Sequence, residues 1–276
     1  MFKDVVVNLT PGAAQDAAAN YAISLASAFG AHISGIAFAY EPVIAPVVMG
    51  GISADLIDAQ RAESEKAANA AVASFETAAK RAGVSAEHRI LSATLAGAAD
   101  LFGRIARRFD ISIVGQARPK TLAPQELVIE GALFESGHPV IVVPYIQKEP
   151  LKLDRVMVCW DGGRTASRAI ADSLPLLTRA KYIELVIIAT GKGKSDEIPG
   201  ADIGHHLARH GLKVEVKRIV STDVDVPNTI LSHAADSSAD FIVMGGYGHS
   251  RLREFILGGA TRGILSSMTV PVLMSH

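Results

Sequence analysis

The chain has 276 residues, 49% of them hydrophobic and 20% charged, with a formal net charge of −1. That length admits two cores, because a unit of about 140 residues buries roughly two-thirds of its unfolded surface. Basic and acidic residues number 11 and 14 up to Gln147, then 16 and 14 beyond it, so neither half carries the basic stripe that draws a protein to nucleic acid or an anionic membrane.

Hydrophobic periodicity predicts a strand over residues 3–9, a helix over 13–29, a strand over 32–40 and a long alanine-rich helix over about 53–82. A strand near 87–92, a helix over 96–109, a strand over 111–115, a helix near 124–136 and a strand over 140–143 follow. The second half repeats the order, with strands at 155–160, 182–189, 213–220, 241–245 and 272–274 and helices at 164–178, 201–210, 227–237 and 257–267. Strands alternating with helices at this spacing predict α/β architecture: two tandem doubly wound domains, each with a five-stranded mostly parallel sheet. The seam is the polar stretch Tyr145-Ile146-Gln147-Lys148-Glu149-Pro150, which divides the chain into domains of residues 1–147 and 148–276.

The apolar region 33–52 is interrupted by Glu41, Pro42, Pro46 and Gly50-Gly51, which disqualifies it as a membrane span. With no signal-peptide pattern after Met1, the expected location is cytoplasmic. The single cysteine, Cys159, lies in the apolar run Val156-Met157-Val158-Cys159-Trp160 and reads as a small buried hydrophobe.

The chemistry concentrates in Met244-Gly245-Gly246-Tyr247-Gly248-His249-Ser250 and in Gly258-Gly259-Ala260-Thr261. A glycine-rich turn directly after a strand, with a second glycine cluster opening a helix, is the layout of an anion cradle. Backbone N–H groups approach a phosphate without side chains in the way, and the helix N-terminus adds partial positive charge. Aligning the repeats sets Thr10 against Asp161, Arg118 against Gly248 and Glu126 against Gly258. The first half therefore keeps the fold and loses the cradle.

At this point the chain resembles the universal stress protein family in its tandem, two-domain form, and its fold the adenine nucleotide alpha hydrolase-like class. Gly245-x2-Gly248-x9-Gly258 is similar to that family's ATP-binding motif, and Asp161 matches the acidic residue that meets the adenosine part. The resemblance implies a cofactor-binding set of Asp161, Met244, Gly245, Gly248, His249, Gly258, Gly259, Ala260 and Thr261. The ligand it implies is ATP, accompanied by Mg²⁺ as its counter-ion. It further implies a stress-response role for the chain as a nucleotide-dependent regulatory or binding module, with a protein partner the sequence does not identify and a homodimer as one assembly. Family members that bind ATP carry Ser or Thr after the last motif glycine. Gly259 stands there in this chain, and Thr261 is the nearest hydroxyl.

No catalytic triad or acid pair can be assembled beside the cradle, so catalytic residues are none and activity is at most weak ATP hydrolysis. A slow ATPase or nucleotidyl-transfer enzyme at the same site is the alternative. A third reading has no nucleotide at all, with the apolar stretch 42–52 and the helix after it recognising a protein or a small apolar ligand. His205, His206 and His210 share one predicted helix, and His206 with His210 has the spacing of a metal-binding pair. With no third ligand in the sequence, that face reads as solvated and the metal sites as none. Ser250 reads equally as a helix cap or a phosphate contact, with Arg251, Arg253 and Arg262 nearby.

Overall fold

The structure is a computed structural model that describes residues 1–41, 54–118, 125–189, 200–220, 225–247 and 259–276. The chain divides into two compact units, Met1–Leu151 and Lys152–His276.

The first unit runs β1 (Asp4–Asn8), α1 (Ala17–Phe29), β2 (His32–Tyr40), α2 (Ala54–Arg81), β3 (Ala86–Ala93), α3 (Leu95–Ala106), β4 (Ile111–Gly115), α4 (Gln125–Glu135) and β5 (Val140–Val143). Its strands lie in the order β3-β2-β1-β4-β5, and every pairing among them is parallel. The second unit runs β6 (Arg155–Cys159), α5 (Arg164–Leu177), β7 (Tyr182–Ala189), α6 (Ala201–Arg209), β8 (Val214–Val220), α7 (Val226–Asp236), β9 (Phe241–Gly245), α8 (Gly259–Ser267) and β10 (Val272–Ser275). Its order is β8-β7-β6-β9-β10, again parallel throughout. The central strands are buried on both faces, as Val5, Val6, Val7 and Val156, Met157, Val158 illustrate. That is why they read in sequence as continuous apolar runs rather than alternating ones.

The two units match in register as well as in order. Val5 pairs with Ile111 and Val6 with Ser112 in the first, where Val156 pairs with Phe241 and Met157 with Ile242 in the second. An aspartate precedes the fourth strand of each unit and clasps the start of the first. Asp110 accepts from the backbone N–H of Lys3 at 2.6 Å and of Asp4 at 3.0 Å. Asp240 accepts from Asp154 at 3.1 Å and Arg155 at 3.3 Å. Each clasp gives the strand-end donors a carboxylate partner.

Helix ends follow their local chemistry. Asp16 caps α1 through the Ala19 N–H at 3.0 Å, and for that reason the helix begins at Ala17 rather than at residue 13. Thr94 caps α3 and Asp225 caps α7 in the same way.

The last two helices of each unit pack closely at glycine. A Cβ at Gly131 would lie 2.3 Å from the carbonyl oxygen of Ala99, and one at Gly263 would lie 2.6 Å from the ring of Pro227. Gly131 and Gly263 stand at the same distance before the prolines Pro139 and Pro271 that precede the last strands, although the residues they press against differ in position. Ala at residue 131 ordinarily gains about 1 kcal/mol of helix propensity over Gly. Here the clash is with rigid backbone, and overpacking of this kind costs roughly 1–3 kcal/mol. Gly131→Ala is therefore expected to lower the urea-unfolding midpoint of the protein, whereas Gly→Ala at an unobstructed helix position raises it.

Candidate functional site

The site is assembled where strand order reverses, between β6 and β9, whose carboxyl ends lie side by side. Only four residues separate β6 from α5. Gly162, at φ 77°, supplies the left-handed turn, and α5 begins at an N-cap, Gly163, that has no side chain to offer. Asp161 compensates: its Oδ1 accepts the Gly163 N–H at 2.7 Å. The Asp161 carboxylate is exposed, held at the helix N-terminus by a backbone donor, and able to accept further bonds from a ligand.

Asp161 also acts on its neighbour. Burial, and after it the Asp161 charge, pushes the half-buried Cys159 thiol up to about 12. The thiolate is the nucleophile, so Cys159 is chemically quiet, as its place in an apolar strand implies. Because the folded value lies above the ordinary thiol value of 9.0, the neutral form contributes stability that is present below about pH 9 and is lost as pH rises toward 12. Alkylation of the native protein at pH 8, followed by mass spectrometry, should leave Cys159 unmodified until denaturant is added.

β9 ends in Gly245, and here the backbone geometry is strict. A Cβ on Gly245 would stand 2.5 Å from Thr165 Oγ1 and 2.6 Å from the backbone nitrogen of Ala166. The strand end is thus pressed against the first turn of α5, an approach that only glycine permits. Met244 is buried in the core, so its side chain is directed away from any ligand and it can contribute only backbone.

Beyond the strand, Gly246 donates to the Ser275 carbonyl at 2.9 Å, and its own carbonyl lies 3.2 Å from His276 Nδ1. Tyr247 then takes φ 47°, an uncommon conformation for a residue with a side chain. Its N–H is held by Thr261 Oγ1 at 3.1 Å. Thr261, only 4% exposed, is the second such surprise. The sequence offers it as a hydroxyl for phosphate, whereas its oxygen closes the loop after β9 onto the first turn of α8. Gly259 opens α8 exposed, with nothing within 4 Å of an added Cβ, and Ala260 follows half-buried. Gly248, His249 and Gly258 lie outside the described residues, as do Ser250, Arg251 and Arg253.

Sequence reasoning missed Thr165, Ser275 and His276 as supports of this site. Thr165 carries a signal only after the fact, as a buried hydroxyl in the first turn of α5. Among the described residues no group of three or more His, Cys, Asp or Glu side chains could hold a metal ion, and no helix is long and apolar enough to cross a membrane.

The corresponding place in the first unit differs. Eight residues, not four, separate β1 from α1, and Asp16 folds that loop back by accepting the Thr10 N–H at 2.7 Å. A cleft of about 90 Å³ remains there, lined among others by Thr10, Asp16, Gln116, Arg118 and Gln125. Arg118, which the repeat sets against Gly248, is thus at the cleft, while Glu126 is exposed in the first turn of α4.

Fold and site together define a doubly wound α/β protein whose second unit carries a glycine-bounded loop at its switch point. Residues 152–276 match the model of the universal stress protein family. A universal stress protein of Synechocystis sp. is 27% identical over 161 residues, covering 52% of this chain and 54% of its own length. The chain thus spans about half the length of that curated relative. Among solved structures, a universal stress protein from Archaeoglobus fulgidus aligns with TM-score 0.74 and 17% identity over 99% of this chain and 95% of its own. A protein from Pseudomonas aeruginosa described as a universal stress protein aligns with TM-score 0.63 and 14% identity, over 99% and 93%. These structures show that both halves share the fold. What the match identifies is the universal stress protein domain in residues 152–276, and for the first unit the likeness is one of fold.

Removal of the Thr261 oxygen tests the loop geometry directly. Thr261→Val preserves shape and removes the bond to the Tyr247 N–H, so it should destabilise the second unit by about 1 kcal/mol, measured by urea denaturation. Gly245→Ala should be worse, since the obstruction is backbone.

Proposed function

We propose that the second unit binds an adenine nucleotide, ATP with Mg²⁺, at the carboxyl ends of β6 and β9, and that the protein serves in stress response as a nucleotide-dependent regulatory or binding module. One observation carries this reading: at the switch point β9 ends in Gly245 and Asp161 follows two residues after the end of β6, at the place where open α/β sheets take their ligands. An exposed carboxylate is suited to ribose hydroxyls or the adenine amino edge. Bare glycine backbone and the open first turn of α8 are suited to phosphate. Mg²⁺ enters with the phosphates, which supply most of its ligands. Gly248, His249 and Gly258 complete the set on sequence grounds.

Nothing described at the site resembles a poised general base, so slow or absent turnover accompanies binding. The first unit, with Arg118 and a folded-back Asp16 in the equivalent region, is expected not to bind ATP.

The test is nucleotide analysis of heat-extracted, freshly purified protein, followed by ATP titration. Co-purified adenine nucleotide or saturable binding is expected. Neither of them at millimolar ATP would overturn the proposal, and sustained hydrolysis lost in Asp161→Ala would turn the module into an enzyme. Gly248→Arg should abolish binding and leave the melting curve unchanged. Gly259→Ser restores the hydroxyl in open space, and one added hydrogen bond of about 1 kcal/mol predicts roughly fivefold tighter ATP binding.

A further inference from the structure

Away from the nucleotide region, α6 presents an exposed pair of imidazoles. His206 and His210 stand one turn apart, and their rings approach edge to face with centroids 4.8 Å apart and planes inclined at 66°. The backbone beneath them is fixed. Leu207 is fully buried and pins the helix, and the His210 N–H closes the last turn by donating to the Leu207 carbonyl at 3.0 Å. Asp202, a further turn toward the N-terminus on the same face, adds negative charge and is oriented by the Ile203 N–H at 2.8 Å. Arg209 lies on the adjacent face.

The ring separation is informative. An imidazole nitrogen binds a divalent ion at about 2.0–2.1 Å, which puts the metal roughly 3.2 Å from each ring centre. Two centres 4.8 Å apart then subtend about 97° at the metal, between the octahedral or square value and the tetrahedral one. The separation therefore places both rings within reach of one ion.

We propose that His206 and His210 form a surface site for a late first-row divalent cation, Cu²⁺ ahead of Ni²⁺ and Zn²⁺, with water in the remaining coordination positions. Two imidazoles and no carboxylate cage favour these ions over Mg²⁺ or Ca²⁺, and the order of affinity follows the general preference of nitrogen ligands. Among the described residues no third His, Cys, Asp or Glu joins them, so the site is open, and affinity is micromolar in character rather than that of a structural zinc centre. Its consequence is local. α6 holds a single fully buried anchor, Leu207, and a metal bridge across its last turn restrains it against fraying.

The experiment is calorimetric titration of the untagged full-length chain with CuCl₂, ZnCl₂ and MgCl₂, alongside His205→Ala, His206→Ala and His210→Ala. Alanine is the best helix former and all three positions are exposed, so each variant should melt as the parent does without metal. One equivalent of Cu²⁺ and of Zn²⁺ should bind the parent and His205→Ala within twofold of each other. His206→Ala and His210→Ala should each bind at least tenfold more weakly, Mg²⁺ should not bind, and Cu²⁺ should raise the melting temperature only where both rings are present. Unchanged affinity in His206→Ala or His210→Ala, or an equal loss in His205→Ala, would overturn the assignment, as would a parent that binds no Cu²⁺ at 100-fold excess.

Discussion

The second unit depends on one close approach, that of Gly245 to the first turn of α5. With only four residues between β6 and α5, the helix N-terminus has to descend close to the sheet, and the neighbouring strand β9 ends directly beneath it. The space that a side chain would need at Gly245 is occupied by Thr165 Oγ1 and the Ala166 nitrogen. Much of the site follows from that contact. Asp161 is drawn in to cap Gly163, and the chain leaving β9 turns sharply enough to force Tyr247 to positive φ. Thr261 is recruited from α8 to hold the turned backbone.

The first unit shows what happens when the constraint is relaxed. Its β1–α1 loop is four residues longer, and a Cβ at Gly115 would meet Ala18 and Thr10 at an ordinary 3.7 Å. The acidic group moves from the strand end to the helix cap, where Asp16 binds the Thr10 and Ala19 N–H groups. Burial raises its pKa, the bonds from Thr10 and Ala19 notwithstanding. The scaffold contacts did not diverge in parallel. The Asp110 and Asp240 clasps and the paired contacts of Gly131 with Ala99 and Gly263 with Pro227 are retained in both units. Losing a clasp removes two charge-assisted backbone bonds, and filling either glycine forces two helices apart at roughly 1–3 kcal/mol, a large share of a domain's stability. Loops at the carboxyl edge carry no such penalty, so one repeated fold can change its edge and keep its core.

This division also explains what the sequence disclosed. Parallel strands buried on both faces leave continuous apolar runs, so the elements and the repeat register were legible, down to Asp110 lying over Asp240. The glycines at 245, 248 and 258 were legible as a motif because glycine is the sequence mark of close backbone approach. What the approach was to could not be read: Gly245 faces α5, a contact across the sheet that local pattern does not encode. Thr261 was visible as a hydroxyl, but its inward turn depends on the tertiary position of Tyr247. The spacing of His206 and His210 was equally plain, whereas the distance between their rings required side-chain geometry.

A module whose state depends on nucleotide needs the site to be mechanically joined to the rest of its unit, and the contacts supply such a connection. Thr261 ties the loop after β9 to α8. Gly263 seats α8 against Pro227 of α7. His233 of α7 in turn meets Glu184 of β7 at 2.7 Å, where the carboxylate is 5% exposed. A buried carboxylate stays favourable only while its partner remains in place, which makes the seating of α7 sensitive to displacement from above. On the proposed reading, the nucleotide site lies at one end of this series and the Glu184–His233 contact at the other. Contiguity alone does not make a switch. A nucleotide can bias the unit only so far as it binds one arrangement of α7 and α8 more tightly than another, and the tightest-packed element of the series, the Gly263–Pro227 contact, is the place where two such arrangements would have to differ.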